Sequence, residues 1–261
     1  WIFDQFYQPN IEGKLPEHRK YIQALYSDNP YLPESYETTL DSLDPVSRKR
    51  LKLGDWDYLD DPSMLIDYDS VNDLFTNDHI LKNGDKRLSA DLAMQGRDKF
   101  IVTYMDGGVL TIVAEKAKST GRDIETTLKG LMLQLGVGNS NVVADSDGMG
   151  NYLESYILNI KTFHGNARPG NPEFNNLKSE CAFKLAEMIN KRLIKIECTF
   201  EHQEEIKRQL LNCLKRDHID IDDTKKKLIS KEKMKEYLGN SPDYFDSILM
   251  HMVFYLRKEY F

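Results

Sequence analysis

The stretch KRLSADLAMQGRDKFIVTYMDGGVLTIVAEKA, residues 86–117, decides how the rest of the chain is read. It holds three short runs, KRLSADLA, KFIVTYMD and VLTIVAEKA, rich in β-branched and aromatic residues and separated by turns that contain Gly and Asp. Such runs predict an antiparallel meander. MDGGV is the strongest hairpin signal in the chain, because Asp-Gly tolerates the positive φ that a tight turn between strands demands. Asp91 closes the first run beside the small Ala90 and Ala93. A carboxylate at the mouth of a central strand packs poorly and is suited to holding a cation; its plain alternative is a strand-end turn residue.

Downstream, Ile124, Leu128, Leu131, Met132 and Leu135 fall at helical spacing over Asp123 to Leu135, with Gly136 and Gly138 as stop signals. NVVAD, Asn141 to Asp145, reads as a short buried strand, followed by a glycine turn and a helix through Tyr152, Leu153, Tyr156 and Ile157. A further strand is expected at Ile160 to Phe163. Two amphipathic helices, Phe174 to Arg192 and Phe200 to Arg216, then flank a short strand at Leu193 to Glu197, and Asp217 to Lys227 reads as a loop. The last helix runs from a Ser241 cap and a Pro242 at its first position to Tyr260. A meander followed by alternating strands and helices predicts an α/β protein with a mixed central sheet and helices on its faces.

Upstream, residues 1–60 are rich in aromatics, broken by Pro9, Pro16, Pro30, Pro33 and Pro45, and end in the acidic GDWDYLDD before Pro62. That composition is a poor core for a free-standing unit, so a boundary is expected at 60/61, with 61–261 as the main domain. The chain opens at Trp1 in mid-pattern and shows no secretory signal. No apolar run approaches the ~20 residues needed to cross a bilayer. Cys181, Cys198 and Cys213 form no CxxC pair and suit a reducing compartment. The scattered His18, His79, His164, His202, His218 and His251 show no zinc-ligand spacing.

Net charge is −7, which argues against a protein that coats nucleic acid generally. The charge is uneven: residues 1–150 hold 16 Lys+Arg against 25 Asp+Glu, and residues 151–261 hold 19 against 17. A basic face from Lys161, Arg168, Lys178, Lys184, Lys191 and Arg192 is therefore compatible with DNA contact. The run Lys225 to Lys227 with Lys231, Lys233 and Lys235 could reach DNA phosphates but is read first as a solvated helix face, since most charge runs are.

Three places offer carboxylates for chemistry. Asp145 ends its strand as Asp91 does, and Gly148 and Gly150 after it allow close approach of a backbone or phosphate; Asp147 lies in the turn, where Asp is common for local reasons. Asp243 and Asp246, three apart at a helix start, project from one face. Carboxylates beside buried positions are costly unless they hold a proton or a metal. Oxygen ligands without His or Cys suit Mg²⁺ or Mn²⁺. Two such ions ~3.5–4 Å apart can activate a water and stabilise the leaving oxygen in phosphodiester cleavage.

At these residues the chain resembles the C-terminal nuclease domain of the large terminase subunit of tailed bacteriophages. The matching elements are Asp91 with the following GRD, the ADSDGMG turn carrying Asp145, and SPDYFDSILM carrying Asp243 and Asp246. DNPYLPESYETTLDSLDPVSRKRLKLGDWD is similar to the segment by which terminases leave the ATPase domain, so the resemblance covers nearly the whole chain. It implies a ribonuclease H-like fold, two Mg²⁺ or Mn²⁺ ions, and endonucleolytic cutting of double-stranded viral DNA during packaging, in the cytoplasm of the bacterial host. Asp91 and Asp145 would be ligands, with Asp246 favoured at the third corner, Asp243 its partner and Asp98 an auxiliary. In the full-length family the small terminase subunit and the portal are partners. Residues 1–60 would be a remnant of the ATPase side; no GxxxxGK[ST] loop occurs, so no ATPase activity and no small-molecule cofactor are expected. A resolvase-like nuclease on branched DNA and a non-catalytic packaging module are the alternatives; the GDWD segment favours terminase.

Overall fold

Strand β1 (Lys86–Asp91) pairs antiparallel with β2 (Phe100–Asp106), which turns through Gly107, at φ +63°, into antiparallel β3 (Val109–Lys116). This is the meander expected from residues 86–117. On the other side, β1 pairs parallel with β4 (Val142–Asp145), and β4 pairs parallel with β5 (Lys161–Phe163). β6 (Lys195–Glu197) adds parallel to β3, completing a six-stranded mixed sheet in the order β5-β4-β1-β2-β3-β6. The computed structural model describes residues 3–41, 43, 45–54, 63–92, 98–145, 153, 155–217 and 225–256.

The chain divides into two compact units, 1–62 and 63–261, and the sheet belongs to the second. The first unit carries short helices α1 (Gln8–Ile11), α2 (Glu34–Asp41) and α3 (Pro45–Leu53). Leu40 is its one buried apolar side chain among the described residues. Polar ties hold it instead: Lys52 bridges Glu37 at 3.0 Å and Asp41 at 2.7 Å, and Arg19 lies 5.4 Å from the ring centre of Phe6. Little buried apolar area means little hydrophobic stabilisation. Asp55 to Pro62, most of the GDWDYLDD stretch, lie outside the described residues.

In the second unit α4 (Tyr68–Asp73) precedes the sheet, and α5 (Gly121–Leu135) follows β3. Alternation along the strands builds two cores. Leu88, Ala90, Val102, Tyr104, Val142 and Ala144 face α5, which answers with Ile124, Leu128 and Met132. Ile101, Met105, Leu110 and Val143 face the opposite side, covered by α6 (Leu177–Asn190), α7 (Phe200–Cys213) and α9 (Asp243–Met250). Period-two strands thus place helices on both faces of the sheet. α5 begins two residues before the expected Asp123, because Thr120 and Asp123 form a reciprocal cap, and it ends on left-handed Gly136.

Lys231–Leu238 form a helix, α8, in keeping with a helix face carrying this charge run; Ser230 caps it and Gly239, at φ +73°, closes it. Two readings at the C-terminal end change. Pro242 stands at the cap of α9 rather than inside it, with no side-chain cap; the Phe245 N–H donates instead to Gln209 Oε1 on α7, 2.9 Å away. α9 is also shorter than expected. It gives way after Met250 to a single 3₁₀ turn, His251–Phe254.

Candidate active site

Parallel pairing of β1 with β4 sets Ala90 opposite Ala144, so Asp91 and Asp145 stand side by side at the carboxyl ends of adjacent strands. The carboxyl edge of parallel strands is where open α/β sheets present crevices. Both aspartates continue the face of Ser89 and Val143, the face that α9 crosses. Asp246 reaches the same place from α9. The three carboxylates line one cleft of about 390 Å³, together with Lys178, Lys227 and Lys231, the amides of Asn166, Asn175 and Asn176, and the hydroxyls of Ser179 and Ser230.

The local charge is unbalanced around Asp91. Its residue is 9% exposed, and no described residue donates a hydrogen bond to it. Burial pushes its carboxyl well above the usual range, and Asp246, Asp145 and Asp243 add to that push against Lys231. Asp246 is better served: Lys178 Nζ lies 2.7 Å from one oxygen and Lys231 Nζ 3.6 Å from the other. Burial works against the Lys231 ammonium, yet Asp246, Asp91, Asp145 and Asp98 together raise its pKa.

Asp243 is turned elsewhere. It is not among the cleft walls; its Oδ2 accepts the Lys99 N–H at 2.8 Å. Burial raises its pKa to about 6, although the Lys99 N–H and the Ser241 hydroxyl pull it down. Lys99 is itself held, through Nζ, by Glu115 at 2.7 Å, and Glu115 also accepts from Tyr244 Oη at 2.8 Å. Asp98 is partly exposed and 4.0 Å from Lys235. Asp147 and the rest of the glycine turn, Ser146 to Gly150, lie outside the described residues, as do Gly96 and Arg97.

The donor set fits a hard divalent cation in kind: carboxylate oxygens, no thiolate, and a buried Asp91 carboxyl to which no described residue donates a hydrogen bond. Among the described residues, no three His, Cys, Asp or Glu side chains close to liganding distance of one point. Lys178 and Lys231 occupy the positive role beside Asp246. The polar wall of asparagines, Lys227 and Ser230 was not singled out as a site from sequence, apart from the lysines within a charge run. Their convergence comes from loops 164–176 and 225–230, whose pairing at Phe174 and Lys226 is long-range.

No protein-family model and no curated protein matches the chain. Solved structures do. The nuclease domain of the large terminase subunit gp2 of bacterial virus Sf6 superposes with a TM-score of 0.60 at 17% identity, over 72% of this chain and 98% of that one. The fold is that of the terminase nucleases. A K428A mutant of the same Sf6 domain, solved with manganese, matches at TM-score 0.60 and 16% identity, again over 72% and 98%. The large terminase nuclease of thermophilic phage G20c with bound magnesium matches at TM-score 0.50 and 14% identity, over 74% of this chain and 97% of that one. The likeness establishes the ribonuclease H-like α/β architecture of the mixed sheet.

Proposed function

We propose that residues 63–261 are the endonuclease domain of a phage or prophage large terminase subunit, cutting double-stranded DNA during genome packaging by metal-assisted phosphodiester hydrolysis. The observation that carries this reading is the convergence of Asp91, Asp145 and Asp246 on one cleft, at the carboxyl edge of a sheet shared with terminase nucleases. Manganese and magnesium in the Sf6 and G20c structures support a divalent requirement. Residues 1–62 fit a remnant of the ATPase side, and the small terminase subunit and portal are the partners this reading implies, in the host cytoplasm.

Asp91, Asp145 and Asp246 would hold Mg²⁺ or Mn²⁺, with Asp243 close behind them. When bound, two ions would supply an activated water and stabilise the leaving oxygen. The chain's own contribution is orientation. Lys178, Lys227 and Lys231 present positive charge toward a scissile phosphate, and Asn166, Asn175 and Ser230 offer hydrogen bonds along its strand. Positioning of this kind supplies much of the rate in such reactions.

A plasmid-nicking assay with Mn²⁺ tests the reading by comparing the parent with Asp145→Ala. Nicking by the parent alone is expected. Equal nicking by both, or none by either, removes the site as drawn, and a marked preference for four-way junctions over linear duplex moves the reading to a resolvase.

A further inference from the structure

α9 meets the sheet along a polar stripe. Asp243, Ser247 and His251 recur every four residues, so they share one helical face that continues into the 3₁₀ turn. Opposite them lies β2. Asp243 Oδ2 accepts the Lys99 N–H at 2.8 Å; Ser247 Oγ stands 2.9 Å from Thr103 Oγ1; His251 Nε2 stands 3.0 Å from the same oxygen. Ser247 Oγ also points at the carbonyls of Ser89 on β1, at 3.4 Å, and Ile101 on β2, at 3.5 Å. Thr103, Ser247 and His251 are fully buried.

The protons in this chain follow from the state of His251. Burial, with Arg87 nearby, lowers the His251 pKa to about 3, so the ring is neutral and carries a single N–H. Nδ1 has no partner among the described residues. A proton on Nε2 is met by Thr103, whereas one on Nδ1 would be a buried N–H with no acceptor among the described residues, so the proton is placed on Nε2. His251 then donates to Thr103, Thr103 has the Ser247 Oγ at 2.9 Å and the Ser247 carbonyl at 3.3 Å as acceptors, and Ser247 has the strand carbonyls. Every link runs between α9 or its 3₁₀ extension and either β1, which carries Asp91 into the cleft, or its neighbour β2.

We infer that Asp243, Ser247 and His251, with Thr103, are positioning residues that set the register of α9 on β1 and β2 and so the spacing between Asp246 and Asp91. Apolar contacts slide; a chain of directional bonds at consecutive helical turns does not. Ser247 follows Asp246 directly and binds the carbonyl of Ser89, two residues before Asp91, so a slip of the helix moves one carboxylate against the other. Asp243 on this account acts through the Lys99 N–H. The inference rests on the metal-dependent reading of the cleft.

Mn²⁺ titrated calorimetrically into the metal-free 261-residue chain, beside thermal melting of each variant, provides the test. Loss of an orienting partner typically weakens metal binding 10–100-fold, so Thr103→Val is expected to weaken Mn²⁺ binding at least about tenfold, with Thr103→Ser restoring it. Asp243→Ala is expected to weaken binding by a similar factor, about tenfold, and Asp243→Asn by much less, because the amide oxygen still accepts the Lys99 N–H. A Thr103→Val protein that melts lower but binds Mn²⁺ as the parent does makes the chain structural only and overturns the inference. So does an Asp243→Asn that loses binding as completely as Asp91→Asn, which makes Asp243 a ligand. If Thr103→Val does not fold, the two Asp243 variants decide. A parent that binds no Mn²⁺ overturns the metal-dependent reading and this inference together; parent binding with unmoved variants overturns this inference alone.

Discussion

Asp91 and Asp106 end neighbouring antiparallel strands at opposite ends of the sheet, and both are buried, at 9% and 7% exposure. Their surroundings differ in kind. Asp106 accepts the N–H groups of Asn83 at 3.1 Å and Gly84 at 2.7 Å and the hydroxyl of Tyr104 at 3.2 Å. It ties the loop before β1 to the end of β2, and in return burial and its charge push Tyr104 up to about 12. Asp91 faces Asp145, Asp246 and Asp243. A buried carboxylate supplied with donors is a fastening of the fold; one surrounded by its own kind is destabilising until something positive arrives.

The largest effect expected from this contrast belongs to Asp91→Asn. Nicking with Mn²⁺ falls on the order of 10³-fold, as removal of several kcal/mol of transition-state stabilisation requires. The metal-free variant melts higher than the parent, because a like charge has gone. The pH sign follows from the raised pKa values. A carboxyl whose folded pKa exceeds its unfolded one holds extra protons when folded, so stability falls as pH rises through the interval between them. For Asp243 that interval runs from 3.8 to about 6, and for Asp91 it starts at 3.8 and its upper end also lies well above that value. Metal-free melts of parent and Asp91→Asn therefore diverge with rising pH, the parent losing ground. Parallel curves, or a lower melting point for Asp91→Asn, erase the difference between the two aspartates.

Asp106→Ala is the reverse case. It takes the acceptor from a buried tyrosine hydroxyl and from the N–H groups of exposed Asn83 and Gly84, which water can still reach; a loss of about 1–3 kcal/mol, the cost of one unsatisfied buried group, is expected in urea unfolding. Nicking by the folded protein at low temperature stays near the parent's. A variant that unfolds like the parent denies Asp106 its fastening role; one that folds normally yet cannot cut would make both ends of the sheet functional.

How much of this contrast is visible in sequence depends on how far apart the partners lie. The Asp106 turn is legible because MDGGV carries its own explanation, a hairpin between alternating runs. The strand ends at Asp91 and Asp145 are legible too, since each closes a run of buried residues. What escapes is anything whose partner comes from elsewhere. Gln209 serves as the cap of α9 from 36 residues away, which leaves Ser241 and Pro242 looking like a local cap. Asp243 and Asp246 are indistinguishable by spacing; they part only because Lys99 presents an N–H to one and Lys178 an ammonium to the other. The lysines at 227 and 231 read as a solvated run until the 225–230 loop and the start of α8 bring them to the cleft.

The smallest expected effect carries the comparison from the aspartates to the cations beside them. Arg87, near the Asp106 end, has 13% of its side chain exposed and stacks on Tyr255 at 4.4 Å and Phe254 at 5.2 Å. Lys231, in the cleft, is 47% exposed and beside Asp246. An enclosed cation is spent on packing, whereas a half-exposed one can meet a phosphate. Each phosphate neutralised contributes about 0.9 to the slope of log affinity against log salt. Lys231→Gln is accordingly expected to reduce that slope by about 1 and weaken duplex binding a few-fold, with little change in melting. Arg87→Gln should lower the melting point and leave the slope alone. Binding measured across a salt series in Ca²⁺, which limits cleavage, reads both variants at once. Equal slopes for the parent and Lys231→Gln would mean that the lysine serves Asp246 only, and that the cleft draws its DNA contacts from Lys178 and Lys227.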